Sequence, residues 1–315
     1  MSHVIDRKKT TERKLKIDAI NALREKGVVQ IRNLFKQNVI NDINKKWKVY
    51  FRYPSISGSV GYSQTSHKKL VHCALLMGKP ILTVALNNQI TKIIEGFMRS
   101  KCTLAEANAL YDKASSYEYF GLHSDFAEGW KKSKNMKNPL SKEALKKPIG
   151  VGVILYLHDT DHGCFKYSIY SQKILSPHGQ KLTNYPEKYK KQILGNVKKF
   201  KGLEGDIILF DDRGFHGPDQ PSKVDRKTII FDYYRDKTFG SLIVEPHKIK
   251  INDLSGLSAR QLRILGINAK NIVENEDYVF TRFKKNLFFP LISWLIQNSY
   301  QIQHIKNLVK NNLFK

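Results

Sequence analysis

Between Lys14 and Lys26 the apolar residues Leu15, Ile17, Ala19, Ile20 and Leu23 recur at helical spacing, and Gly27 follows where a left-handed residue closes a helix. A helix is predicted there. Val28 to Arg32 then reads as a short strand, and a second amphipathic helix begins at Asn38, carrying Val39, Ile40, Ile43 and Trp47. Ser and Gly around aromatic residues place a loop over Pro54 to Gln64. Leu82 to Met98 has the spacing of one helix, with Ile90, Ile93, Ile94, Phe97 and Met98 in its later turns.

From Tyr117 the period becomes strand-like, with Gly121 just ahead of His123. The run Val151 to Leu157, bounded by the turn Asp159 to Gly163, reads as a buried strand, and two more strands are expected at Asp206 to Phe210 and Lys227 to Tyr234. Beyond Lys250 the helical period returns. Ser258 to Leu265 predicts a short helix closed by Gly266, and Leu291 to Val309 is apolar on one side and polar on the other. Strands spaced by loops and preceded by helices predict a mainly β protein with flanking helices: a jelly-roll double sheet, N-terminal helices outside it and a helical C-terminal tail.

A chain of 315 residues, 41% of them hydrophobic, has material for one large domain or one domain with appended helices. The cysteines Cys73, Cys102 and Cys164 are odd in number and match no zinc spacing, so reduced thiols in a cytosolic protein are expected. No signal-peptide h-region or membrane-length apolar run is visible, which points to a cytoplasmic location. The net charge of +26 would favour phosphates, acidic sugars, nucleic acid or an anionic membrane surface. A general lysine bias produces the same charge, so charge alone chooses no substrate.

Candidate chemistry sits in two segments. His123 and Asp125 lie at i and i+2, so on a strand both side chains emerge on one face while Ser124 points away. A third ligand is offered by His216, after the Gly205-Asp206 strand start. Two imidazoles and one carboxylate on one side of a metal leave adjacent positions open, the arrangement of non-haem iron(II) oxygenases. Ten residues after His216, Arg226 opens a further strand, where a guanidinium can hold a dicarboxylate's far end bidentately. His67 and His72 lack a carboxylate at ligand spacing and read as ordinary histidines. Asp206 reads as a turn cap; Asp211 and Asp212 read as loop residues.

In this order of motifs the chain resembles the phytanoyl-CoA dioxygenase-like family of iron(II)- and 2-oxoglutarate-dependent oxygenases. The resemblance runs from Ala22 to Phe35, which is similar to the family's N-terminal helix and strand, to about Tyr234, and Arg226-Lys227-Thr228-Ile229 is similar to the family's segment at that place. It implies a double-stranded β-helix, cupin-like, over residues 1–250, with residues 251–315 as a basic, helical, amphipathic extension. It further implies Fe(2+) on His123, Asp125 and His216, with 2-oxoglutarate held at its far carboxylate by Arg226. Lys227 is the adjacent alternative for that role. Dioxygen would be the cosubstrate, ascorbate an accessory reductant, and hydroxylation the outcome, because the halogenases of this group lack the carboxylate that Asp125 supplies. Members often carry Gly-Ser-His where this chain runs Gly163-Cys164-Phe165, which leaves the substrate pocket open.

Lysines crowd two segments expected near the barrel mouth: Lys131, Lys132, Lys134, Lys137, Lys142, Lys146 and Lys147, then Lys188, Lys190, Lys191, Lys198, Lys199 and Lys201. A basic rim predicts an anionic substrate: a CoA ester, a phosphorylated metabolite, an acidic sugar or a lipid-linked glycan. Residues 284–315, with Leu287 to Ile296 flanked by Lys284, Lys285, Lys306 and Lys310, offer peripheral contact with an anionic membrane at its cytoplasmic face. Packing of that helix on the sheet is the other reading. The competing class is a basic nucleic-acid-binding protein on the same fold without oxygenase activity, although no nucleic-acid-binding motif is present.

Overall fold

The computed structural model describes residues 4–52, 62–64, 68–71, 73–130, 139–235, 247–267, 272–274 and 278–281. The chain opens with β1 (Val4–Asp6), α1 (Glu12–Lys26), β2 (Val28–Arg32) and α2 (Gln37–Arg52). β3 (Tyr62–Gln64), β4 (Lys68–Val71), α3 (Lys79–Ala85), α4 (Asn88–Met98) and β5 (Cys102–Asp112) follow. Next come α5 (Lys142–Leu145), β6 (Gly150–Tyr156), β7 (Phe165–Ser168), α6 (Glu187–Gly195), β8 (Val197–Phe200), β9 (Ile207–Asp211), β10 (His216–Pro218) and β11 (Arg226–Arg235). β12 (Lys248–Lys250), α7 (Ala259–Ile264), β13 (Ile272–Glu274) and β14 (Tyr278–Thr281) complete the described elements.

Two sheets make the body. An eight-stranded sheet runs β1-β2-β9-β6-β11-β5-β4-β3, and a three-stranded sheet runs β10-β7-β8. Val28, Ile154, Tyr156, Ile208 and Phe210 of the large sheet pack against Phe165, Tyr167 and Phe200 of the small one, in one buried apolar cluster. The other face of the large sheet, with Val29, Val151, Val153, Leu155, Leu209 and Phe231, packs on the helices. Strand β6 is therefore buried on both faces, which is why it reads as an unbroken apolar run instead of an alternating one. The expected double-sheet, jelly-roll architecture is the one found.

Local chemistry sets the first helix as expected. Thr11 accepts the Lys14 N–H at its start, and Gly27, at φ 83°, donates to Leu23 O at its end. A side chain at Gly27 would also overlap the Tyr167 hydroxyl and Gln172, so this position is closed by packing as well as by backbone. Three expectations change. The helix expected over Leu82 to Met98 is two, because Asn87 accepts the N–H groups of Gln89 and Ile90 and starts α4 afresh. The loop expected over Pro54 to Gln64 contains β3 at its end. The strand expected from Tyr117 is reduced to isolated bridges, whereas the long strand β5, which pairs with both β4 and β11, had no counterpart in the predicted elements.

The short helix expected at Ser258 is α7, with Ser258 and Gln261 in a capping box; a fourth expectation changes, because the extension expected to be helical from residue 251 also holds β13 and β14, which pair antiparallel. Cys73, Cys102 and Cys164 are buried and form no disulfide among the described residues. No helix among the described residues is long and apolar enough to cross a membrane. His67, His72, Lys131, Lys132, Lys134, Lys137 and the tail 284–315 lie outside the described residues. Replacing Asn87 by Ala removes the α4 cap. The change should lower unfolding free energy by about 1 kcal/mol, read as a lower urea midpoint at unchanged m-value.

Candidate metal centre

His123 and His216 face each other across an isolated antiparallel bridge. The His123 N–H donates to His216 O at 3.0 Å and the His216 N–H to His123 O at 2.8 Å. Asp125 is fixed separately: its N–H donates to Asp212 O at 3.0 Å, and its own carbonyl accepts Gln180 Nε2 at 2.6 Å. Between them Ser124 turns away and is buried, its hydroxyl donating to Phe126 O and Arg213 O. The i, i+2 reading of this segment thus holds even though the segment is not a regular strand.

The three side chains converge. His123 Nε2 lies 3.6 Å from Asp125 Oδ1, and His216 Nε2 lies 3.3 Å from Asp125 Oδ2. All three donor atoms fall within 4.8 Å of one another, and no other such set occurs among the described residues. Each imidazole sets its Nδ1 against a carbonyl, His123 on Gly121 O at 3.2 Å and His216 on Gly214 O at 2.9 Å. A proton on Nδ1 satisfies those carbonyls and leaves both Nε2 lone pairs directed at the common point, as metal-ligating histidines require. Burial first, then His216, holds the His123 imidazole down to about 4, so it stays neutral.

The triad lines a cavity of about 170 Å3 whose walls include Phe120, Ile154, Phe165 and Phe210. Lys68, Asp112, Tyr119 and Arg226 line the same cavity. Sheet register brings them together, since Asp112 on β5 is paired with Lys68 on β4 and with Arg226 on β11. Arg226 is buried and its Nε donates to Asp112 Oδ2 at 2.9 Å, while Nη1 is buried with no hydrogen-bond partner among the described residues. The Thr228 hydroxyl, two residues along the same strand face, is likewise buried and unpartnered. Burial pulls the Lys68 ammonium down, and Asp112 opposes it. Lys227 goes the other way, with its Nζ 5.6 Å from the ring of Trp47 on α2, so Arg226 alone of the pair reaches the cavity.

Lys68, Asp112, Tyr119 and Thr228 had not been singled out for the site. For Thr228 the spacing from Arg226 on one strand face was a usable signal; the other three depend on pairings that β5 makes. Asp211 and Asp212, expected in a loop, are both buried: Asp211 ends β9 and Asp212 follows it. The Asp211 carboxylate pairs with Arg213, whereas Asp212 is pushed well above the usual carboxylate range by burial first and then by Asp232, Asp125 and Asp211. Asp206 caps its turn as expected, accepting the Leu203 N–H. None of the described lysines of the two dense segments lines this cavity.

No protein-family model matches the chain, and no curated protein matches it. Solved structures do. SnoK, a non-haem, α-ketoglutarate-dependent carbocyclase from nogalamycin biosynthesis, superposes with a TM-score of 0.55 at 15% identity over 72% of this chain and 86% of SnoK. The chain has the fold of such enzymes. HygX from Streptomyces hygroscopicus, solved with nickel, 2-oxoglutarate and hygromycin B, gives 0.52 at 13% identity over 70% of this chain and 87% of its own. EctD from S. alaskensis, solved with bound Fe, gives 0.51 at 13% over 69% and 76%. The double-stranded β-helix implied by the family resemblance is thus the fold observed.

A titration follows from the His123 environment. The unfolded imidazole takes up its proton below about 6.5 and the folded one only near about 4, so His123 makes the metal-free protein lose stability as pH falls through that window. Replacing His123 by Asn should flatten the fall in urea midpoint between about pH 7 and about pH 4.5 relative to the wild type.

Proposed function

We propose that this chain is an Fe(II)- and 2-oxoglutarate-dependent dioxygenase that hydroxylates a C–H bond of a small molecule, releasing succinate and CO2. The observation that carries the reading is one cavity lined by the two imidazoles and carboxylate and by a buried guanidinium whose Nη1 has no partner among the described residues. His123, Asp125 and His216 are the residues that would hold the iron, and when bound it would supply Lewis-acid and dioxygen-activating chemistry. Asp112, by engaging Nε, fixes the Arg226 fork so that Nη1 remains for the far carboxylate of 2-oxoglutarate. The buried Thr228 hydroxyl, two residues along the strand from Arg226, is a candidate second donor to that carboxylate, and Lys68 lines the cavity with positive charge. Phe165 and Phe210 close the apolar sides and exclude water from the reacting end.

Small-molecule substrates agree with HygX, solved with hygromycin B, and with SnoN, solved with Fe3+, α-ketoglutarate and nogalamycin RO. We take the substrate to be anionic on the strength of the net charge of +26. The oxygenase unit is assigned to residues 1–250 and the extension to 251–315, whose first helix α7 docks on α4 through Arg260 and Arg263 to Glu95. A cytoplasmic location fits the three buried free thiols. Peripheral membrane contact through 284–315 rests on the sequence alone. A nucleic-acid-binding protein without chemistry would leave the converging donors and the waiting guanidinium without a purpose.

With iron(II) and dioxygen the protein should convert 2-oxoglutarate to succinate, and Asp125→Ala should abolish that turnover. Arg226→Lys should raise the KM for 2-oxoglutarate by about tenfold or more, since lysine cannot reproduce the fork. Equal succinate formation by wild type and Asp125→Ala would overturn the assignment. Label from 18O2 in the product separates hydroxylation from epimerisation or ring closure.

A further inference from the structure

A second cavity, of about 520 Å3, shares no lining residue with the first. Its walls are Arg24 from α1, Phe97, Met98 and Arg99 at the end of α4, Lys146, Lys147 and Pro148 before β6, Arg213 after β9, and Arg235 at the end of β11. Six of these nine residues are cationic and none is acidic. Two cations are neutralised nearby: Arg213 by Asp211, and Lys146 by Glu143 at 2.7 Å. Arg24, Arg99, Lys147 and Arg235 form no ion pair among the described residues.

Helix ends attract cations, and part of the cluster has that simpler explanation. Arg24 Nη2 donates to Gly96 O at 3.0 Å and Arg235 Nη2 to Met98 O at 3.1 Å, both at the C-terminal turn of α4. Those bonds account for one nitrogen on each guanidinium. They leave Arg235 Nε buried without a partner among the described residues, and they do nothing for Arg99 or Lys147. Four like charges without an ion pair around one concavity repel each other, an effect that water screens at the exposed Arg24, Arg99 and Lys147 and less at the half-buried Arg235. The Arg235 guanidinium is already lowered by burial and by Arg213 beside it. An anion seated among them removes that repulsion.

We propose that this cavity binds a compact polyanion with two or more phosphate groups, of the class of a nucleoside diphosphate. Guanidinium forks match phosphate oxygens bidentately, and the number of unpaired cations matches a ligand of several negative charges. The volume falls within the range of small-molecule pockets, and Phe97, Met98 and Pro148 supply an apolar side for a ring. A membrane surface or an RNA duplex would be met by charge spread over an open face, whereas these cations line a recess. The site also touches the metal centre's support. Arg213 O accepts the Ser124 hydroxyl and Asp212 O accepts the Asp125 N–H, so the turn that walls this cavity carries the segment bearing the candidate ligands.

Calorimetric titration of the full chain with inorganic pyrophosphate and with ADP, without iron or 2-oxoglutarate, tests the site apart from any oxygenase activity. Both probes should bind, more weakly at about 300 mM than at about 50 mM NaCl. The double variant Arg99→Ser with Lys147→Ser, both exposed positions, should weaken binding by about tenfold or more, equivalent to about 1.4 kcal/mol. The control Lys190→Ser with Lys191→Ser on α6 should stay within about twofold of wild type, with thermal unfolding confirming that both variants fold. Absence of binding at low salt, equal weakening in both variants, or binding confined to anionic vesicles or RNA would each overturn the proposal.

Discussion

Two main-chain hydrogen bonds, one each way between His123 and His216, are the constraint on which the candidate site depends. They join a segment that follows β5 to the first residue of β10, so two imidazoles far apart in sequence begin from adjacent backbone positions. The large sheet holds the second partner through β9, and Asp212, just after β9, takes the Asp125 N–H. Each donor is thus oriented by backbone before any ion is considered. The Nδ1 contacts to Gly121 O and Gly214 O then leave only Nε2 available to the centre.

The same economy of support governs the cavity around Arg226. Strand pairing puts Asp112 between Lys68 and Arg226, and an ion pair on one edge of the guanidinium leaves the other edge unsatisfied. A buried donor without an acceptor costs free energy, and proteins keep such groups where a ligand completes them. The net charge of +26 plays little part here, since Lys68 and Arg226 are the two cationic residues other than histidine that line this cavity. Four cations without an ion pair among the described residues gather instead behind the Arg213 turn, where they define a separate recess.

How much was legible from sequence depended on whether a segment's period survives in the fold. Leu15 to Leu23, Val28 to Arg32 and Val151 to Tyr156 each keep one environment throughout, and their patterns led to the right elements. Strand β5 did not. The register shift at Asp232/Tyr233 changes which face its residues take, so Leu104 packs toward the helices while Leu110 and Asp112 line the cavity. Its small and polar residues, Thr103, Ala105, Glu106, Ala107, Asn108 and Ala109, then show neither period clearly. Missing β5 meant missing Asp112 and, through pairing, Lys68. That His123, Asp125, His216 and Arg226 gather at one cavity was legible because their chemistry is specific and their spacing needs no register. The burial of Asp212 was not, because an Asp after a strand normally marks a solvated turn.

If these four side chains jointly grip one ion and one diacid, anaerobic addition of iron(II) to the protein with 2-oxoglutarate, followed by visible absorption, will reveal it, because the metal-to-ligand charge-transfer band requires both to be bound in contact. The band is expected with both components, absent with either alone, and lost in His216→Ala. A wild-type protein that shows no band at saturating iron(II) and 2-oxoglutarate, or a His216→Ala protein that keeps it, would rule out a shared grip by these residues.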